Sequence, residues 1–521
     1  MNRFRPGDKI DMRKIDTLIV LIGSLTKAER KQISILLGGT GGARDYKFLY
    51  DIIIKEKEPS GDKVQELFKT RRAEASFDAT TQYLYEKIIE MLLAIHNSSD
   101  PTAELLNELR KVRLLYSKSL YSAAIERLES IIKAAEEHQC HSILLIAEKL
   151  ELEYLSRFHY AGMKEKDLFH KHFAIESTLN NLQDTTRQSM ILNILQYRMT
   201  RIQTSIRSTG ELSWLNDLVL RESTLASTSA LQKNFELNCN HKLFQANYLI
   251  AIGNHKSALD VFKDLYGLFE ENKRFWSNPP VRYVAVLEGI LDCLRSEGKY
   301  DSMPLYINKL EELSKLASNE FRSNTECLAF QYRMFPLLDN GRFEACLNMM
   351  EYAKLDLKEM SKVLSPIRRS ELYLNVALVY IGCEDFKSAR SMISGAMMDD
   401  SVRFLPLMKT IRLCRLLVYY ELGEYDILQS ESKSLKRKLT SSKENAYKTE
   451  KFVLWFINSV KIPPLSTDRK KLYQKLSPKM DEITNDKYER QLLYIFDFIA
   501  WVKSKILRIK LADAIRQSLC E

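Results

Sequence analysis

Punctuation is scarce in this chain: its 521 residues include only 17 glycines and 12 prolines. Folds built from many short strands need turn residues every few positions. The scarcity therefore argues against them and for long helices with short connections. Long apolar runs are lacking too. No stretch approaches the roughly 18 apolar residues of a membrane-spanning helix, so no membrane insertion is expected. The opening "MNRFRPGDKIDMRKIDTLIVLIGSLTK" has only a short uncharged run after Asp16, with no small-residue cleavage site behind it. No secretory signal is read there, and a cytoplasmic location is expected. The eight cysteines (Cys140, Cys239, Cys293, Cys327, Cys346, Cys383, Cys414 and Cys520) stand singly, none with CxxC spacing. They read as buried free thiols in a reducing compartment.

Catalytic signatures are missing as well. The chain has no GxSxG elbow and no HExxH helix, and among 68 acidic residues no pair stands out as an acid–base dyad. The reading is a protein that is not an enzyme and needs no cofactor. The glycine-rich stretch Gly38-Gly39-Thr40-Gly41-Gly42 continues as Ala43-Arg44-Asp45, without the Lys-Ser/Thr of a phosphate loop. The preceding "AERKQISILL" has helical spacing, so no strand feeds it and an inter-helix turn is expected. His138 and His141 stand at i,i+3 around Cys140, a spacing that metal sites use. The polar end of a helix facing water accounts for them, and no metal is expected.

What is present is ordinary for a folded protein: 45% apolar and 28% charged residues. The net charge of +10 is uneven. Residues 1–100 hold 17 Lys/Arg against 15 Asp/Glu, whereas residues 431–480 hold 13 against 4. The second window, with "SKSLKRKLTSSK" and "DRKKLYQK", reads as a solvated helix face or as a patch for an anionic partner. Few aromatics interleave its charges, which favours the former.

One pattern recurs: Gly, any residue, an aromatic or His, two residues, then a small or apolar residue. It reads Gly253-Asn-His255-Lys-Ser-Ala258, Gly298-Lys-Tyr300-Asp-Ser-Met303, Gly341-Arg-Phe343-Glu-Ala-Cys346 and Gly423-Glu-Tyr425-Asp-Ile-Leu428. Glu384-Asp-Phe386-Lys-Ser-Ala389 and Ser119-Leu-Tyr121-Ser-Ala-Ala124 fit with other residues in the glycine slot. The last five aromatic slots are 45, 43, 43 and 39 residues apart. Weaker copies, "YAGMKEKDL" near 164 and "STGELSWL" near 212, fill the gap and bring the total to about eight units over 105–450. An apolar helix precedes each slot. A left-handed residue ends it, the aromatic packs at the turn, and the small residue lets a second helix approach. Such pairs bury their apolar faces only by stacking on neighbours, so a period near 43 implies a right-handed α-solenoid of antiparallel helix pairs.

The Gly-x-aromatic-x-x-Ala pattern resembles the tetratricopeptide repeat over roughly residues 105–450, with a period about ten residues longer than the usual 34 and mostly without the first-helix Trp and terminal Pro. The flanks extend the likeness. "SLTKAE" at Ser24–Glu29, "YKFLYD" at Tyr46–Asp51, "YLYEKII" at Tyr83–Ile89 and "FDFIAWVKSKI" at Phe496–Ile506 resemble recurrent segments of a family of tetratricopeptide-like proteins common in Bacteroidota. Tyr50 stands where that family more often has Phe, and Val502-Lys503 where Leu-Glu is usual. The resemblance implies a fold and no activity. It divides the chain into a helical N-terminal domain or cap (1–100), the repeat array (101–450) and a C-terminal helical cap (451–521). Within the first segment, Thr26 and Glu29 have capping-box spacing.

In tetratricopeptide-like stacks the first helix of each pair lines a concave groove. Counting back from each glycine slot places Arg201 and Thr204, Asn240 and Asn247, Glu288 and Asp292, Gln331 and Tyr332, and Glu371 and Asn375 on that face. Asn carries both donor and acceptor and suits an extended peptide backbone, so the peptide-binding candidates are Arg201, Asn240, Asn247, Gln331 and Asn375. The Lys/Arg companions that grip a terminal carboxylate are missing from units four to seven. The expected function is a non-catalytic scaffold or adaptor with a protein or peptide partner. The alternative is a regulator whose N-terminal helices or basic C-terminal segment contact nucleic acid.

Overall fold

The computed structural model describes residues 13–38, 45–56, 59–96, 101–202, 209–228, 234–277, 279–316, 319–353, 363–398, 402, 407–441, 447–486 and 489–520. Among them all regular structure is helical. The glycine-rich residues Gly39–Gly42 lie outside the described residues. Contacts divide the chain into two compact units, one of Met1–Ala161 with Ser318–Glu320, the other of Gly162–Ala317 with Phe321–Glu521. That division falls inside the span read as repeats.

The first unit contains α1 (Lys14–Ser24), α2 (Lys27–Gly38), α3 (Asp45–Lys55), α4 (Gly61–Arg71), α5 (Phe77–His96), α6 (Pro101–Ser117), α7 (Tyr121–Glu137) and α8 (His141–Arg157). The capping box forms as the spacing predicts: Glu29 N donates to Thr26 Oγ1 at 3.2 Å and Thr26 N to Glu29 Oε2 at 2.6 Å. Helices α1 to α4 pack on α5 around Leu18, Ile33, Leu49, Phe68 and Leu84. A separate cluster joins α6, α7 and α8 through Val112, Leu128 and Ala147, with Tyr116 and Tyr154 stacked 3.6 Å apart.

The second unit begins with α9 (Glu165–Ile202), α10 (Thr209–Thr228), α11 (Phe235–Ala251), α12 (His255–Glu271), α13 (Val281–Ser296), α14 (Met303–Ser314), α15 (Asn319–Asp339) and α16 (Phe343–Tyr352). It continues with α17 (Pro366–Gly382), α18 (Phe386–Ala396), α19 (Leu407–Leu422), α20 (Tyr425–Ser441), α21 (Lys448–Ser459), α22 (Ser466–Asn485), α23 (Arg490–Ile495), α24 (Phe498–Leu507) and α25 (Leu511–Cys520). Neighbours in sequence pack together: α11 on α12, α12 on α13, α17 on α18, α18 on α19, α19 on α20. One apolar core runs from Cys239 to Ile515, so the C-terminal helices share the core of the helices before them.

The turns follow the sequence pattern closely. Ser119, Gly253, Gly298, Gly341, Glu384 and Gly423 all have φ between +62° and +77°. Each makes the two hydrogen bonds of a Schellman cap. Gly253 N donates to Ile250 O and Asn254 N to Leu249 O, and Glu384 N donates to Ile381 O and Asp385 N to Tyr380 O. At two of the slots the following residue also caps the next helix, Asn254 Oδ1 accepting from Ser257 N and Asp385 Oδ1 from Ser388 N. The small slots Ala124, Ala258, Met303, Cys346, Ala389 and Leu428 are all buried. The aromatic slots are less uniform than expected. Phe343 is buried, while Tyr121 and Tyr425 are exposed. Phe343 is covered because its ring lies on Gly382, where a Cβ would come within 2.1 Å of it.

The weaker copies behave differently. Gly162 has φ +81° and precedes α9, but Gly210 lies in the first turn of α10 and ends no helix. Residues 163–209 contain no Gly or Pro, so nothing interrupts α9, a single helix of 38 residues.

Candidate functional site

Helices α13, α15 and α17 send polar side chains from successive chain segments to one recess of about 170 Å³. Its walls are Glu288, Asp292 and Arg295 of α13, Gln331, Tyr332 and Phe335 of α15, and Arg368, Glu371 and Asn375 of α17. Leu328 and Leu407 add apolar surface, and Tyr494 and Ile495 of α23 close one side. The fold brings six counted positions together here: Glu288, Asp292, Gln331, Tyr332, Glu371 and Asn375.

The charges are paired across helices. Arg368 bonds Glu288 through Nη2 and reaches Glu371 Oε2 from Nη1 at 2.9 Å. The Tyr332 hydroxyl donates to Asp292 Oδ1. Arg295 makes a bidentate pair with Asp339, Nε to Oδ2 at 2.8 Å and Nη2 to Oδ1 at 2.7 Å. Its guanidinium lies 3.6 Å from the Phe335 ring centre and 4.4 Å from that of Tyr494. Tyr494 completes the seam, its hydroxyl donating to the Asp292 carbonyl and its own carbonyl accepting from Arg295.

These surroundings shift the titrations. Burial, reinforced by the Glu288 charge, pushes the Asp292 carboxyl up to about 6. Burial pushes Glu371 up to about 7, with Glu288 adding to the effect and Arg368 opposing it. Burial works against the Arg368 charge, yet Glu288 and Glu371 hold its pKa above the ordinary value. At full ionisation Glu288, Asp292 and Glu371 outnumber Arg368 by two charges, because Arg295 is satisfied by Asp339. Gln331 is only 2% exposed and its Nε2 has no partner among the described residues.

The other candidates are placed differently. Asn240 is buried against α9, its Nδ2 donating to Ser189 Oγ at 2.9 Å. Asn247 donates to the Leu243 carbonyl of its own helix. Arg201 lies at the end of α9, and Thr204 lies outside the described residues. Arg295 and Arg368 escaped the sequence reading because they stand three and sixteen residues before their slots, off the counted positions. Both are already held by carboxylates, so neither is available to grip a terminal carboxylate. His138 follows α7 and His141 opens α8. Among the described residues no group of three His, Cys, Asp or Glu is placed to hold a metal ion, and no helix is long and apolar enough to cross a membrane.

Comparison with family models, with curated proteins and with solved structures finds no match to this chain.

Proposed function

We propose that the chain is a tetratricopeptide-like α-solenoid, a non-catalytic scaffold or adaptor that binds a protein or peptide along its inner helical face. The observation that supports this reading is the convergence of α13, α15 and α17 on one recess. Three consecutive pairs present polar side chains from the positions that the pattern points inward, and the recess stays open beside Glu288 and Glu371, whose side chains are 26% and 30% exposed. A peptide lying across three repeats meets alternating donors and acceptors there. Cys140, Cys239, Cys293, Cys327, Cys346, Cys383 and Cys414 are free, which suits a reducing compartment, and the reading places the protein in the cytoplasm.

The test is selection of random peptides displayed on phage against the full chain, with Asn375→Arg, which crowds the recess, as counter-target. Peptides enriched on the wild type and lost on a variant of equal melting temperature support the reading. No enrichment, or equal binding to the variant, refutes it.

A second reading is favoured by a group of exposed cations near the C-terminal end of the sequence. Lys433, Lys436 and Arg437 of α20 and Lys470, Lys471 and Lys475 of α22 are exposed. These cations suit a polyanion such as duplex nucleic acid. A mobility shift that weakens steeply with salt supports this regulator reading, and no shift at low salt removes it.

A further inference from the structure

We propose that the recess between α13, α15 and α17 receives a primary ammonium group, the lysine side chain of a polypeptide lying along the inner face. The inference rests on the inner-face reading and adds the chemistry of what is recognised. Charge is the first argument. Glu288, Asp292 and Glu371 line the recess together with Arg368, which pairs with Glu288 and Glu371, while Arg295 is committed to Asp339 through Nε and Nη2. A cation entering the recess relieves the two-charge excess. The raised Asp292 and Glu371 titrations express the same excess, with burial as the larger cause.

Gln331 supplies an independent argument. Its Nε2 is a buried donor with no acceptor among the described residues, and the residue lines the recess. Leaving such a donor unmet is costly. An incoming group that carries both an ammonium and a carbonyl meets both needs, and a lysine within a peptide has them at opposite ends of its side chain. Size agrees: about 170 Å³ is roughly ten times the space that one water requires. The apolar walls, Leu328, Phe335, Leu407 and Ile495, suit a four-methylene stem. Geometry argues against the other cations. The described carboxylates are not gathered for a metal ion, and Glu288 and Glu371 are each already engaged by Arg368. What they offer is separate single acceptors, matching the three divergent donors of an ammonium better than a flat guanidinium fork.

The experiment titrates the full chain with Nα-acetyl-lysine N-methylamide, its norleucine counterpart and cadaverine, followed by ligand-observed NMR at pH 7.5 and low salt. The lysine amide should bind about tenfold tighter than the norleucine amide, the scale of one charge-assisted hydrogen bond. In Glu288→Gln/Glu371→Gln that preference should fall below about twofold; Glu371→Gln alone, which keeps the Arg368–Glu288 pair, should lose part of it. Cadaverine, lacking the carbonyl, should bind several-fold more weakly than the lysine amide. Equal binding of the lysine and norleucine amides, or a preference that survives in a folded double variant, overturns the proposal. Cadaverine binding as tightly as the lysine amide overturns the polypeptide source. If selected peptides bind the recess without needing lysine, the inner-face reading stands and this inference falls. If the lysine amide binds but no peptide is ever selected, the ammonium site stands and that reading falls.

Discussion

Position 384 and position 253 hold the same backbone conformation with opposite residues, so one energy can be measured from both directions. Gly253 has φ +77° and Glu384 φ +63°. A Cβ at Gly253 meets no atom of the described residues within 4 Å, so Gly253→Ala adds no clash with them and reports the backbone alone. The left-handed conformation costs a residue with a Cβ about 1–2 kcal/mol, and the stiffer unfolded chain returns about 0.4–1 kcal/mol. Gly253→Ala should therefore destabilise its turn by about 0.7 kcal/mol, and Glu384→Gly, where an exposed side chain is removed, should stabilise its turn by a similar amount. Spread over a unit of roughly 350 residues, that energy moves a melting midpoint by only about 1 °C, so the assay must be local. The Asn254 amide, bonded to Leu249 O, and the Asp385 amide, bonded to Tyr380 O, report each cap directly. Native-state hydrogen exchange should accelerate about threefold at Asn254 in the first variant and slow about threefold at Asp385 in the second. Unchanged exchange at both sites, or faster exchange at Asp385 in Glu384→Gly, would refute the claim that the slot selects glycine for its φ.

Two further outcomes follow from packing and charge. Gly382→Ala should lower the urea midpoint by an equivalent of about 1–3 kcal/mol, because the new Cβ overlaps the Phe343 ring at 2.1 Å and this outweighs the roughly 1 kcal/mol gained in helix propensity; adding Phe343→Leu should recover most of the loss, and an unchanged midpoint in the single variant would count against the contact. Glu371→Gln should stabilise the protein above pH 7 and leave it unchanged near pH 4. The folded pKa of Glu371 is raised to about 7 by burial, with Glu288 adding and Arg368 opposing, so the folded state binds the extra proton between the ordinary carboxylate value and 7, and wild-type stability drains away as pH rises through that window. Glu371 shares its surroundings with Asp292, Arg295, Tyr332 and Tyr494, which the substitution leaves in place. The gain at pH 8 should be about 1–2 kcal/mol, less than the full shift implies because the side chain is 30% exposed. Denaturation curves across pH measure it, and a constant difference between the two proteins would refute it.

Local features were legible because their causes are local. The Thr26–Glu29 box, and in the six clear copies the left-handed slots and the buried small residues, each depend on fewer than seven consecutive residues, and each stands where the pattern put it. Ser119 and Glu384 show that position, more than residue type, defines the slot. The length of α9 was legible too, in the absence of Gly and Pro from 163–209, but a periodic expectation overrode it. The recess was half legible. Counting along a helix finds the side on which Glu288, Gln331 and Asn375 lie, yet it cannot tell that Asn240 is covered by α9 through Ser189. Nor can it foresee that Tyr494 returns to a helix 199 residues earlier.

That return contact bears on what the recess can be. The Arg295 side chain is 6% exposed, paired with Asp339 and held between the rings of Phe335 and Tyr494. A buried ion pair of this kind adds little net stability against an apolar replacement, but it penalises any arrangement that leaves one partner alone. Sliding α23 by one residue would take the Tyr494 ring off the guanidinium and its carbonyl off Nη2, leaving Arg295 with unmet donors in an apolar setting. The pair therefore fixes the register of α23 against α13 and α15. A wall of the recess is thus supplied by the C-terminal segment and held in one place. It also follows that truncation is a poor probe of the recess. Removing the residues after 486 would strip away Tyr494 together with Phe496, Phe498, Trp501 and Ile506, all four of the latter buried in the shared core. Loss of binding in such a variant would report loss of the core, and only substitutions inside the recess separate recognition from folding.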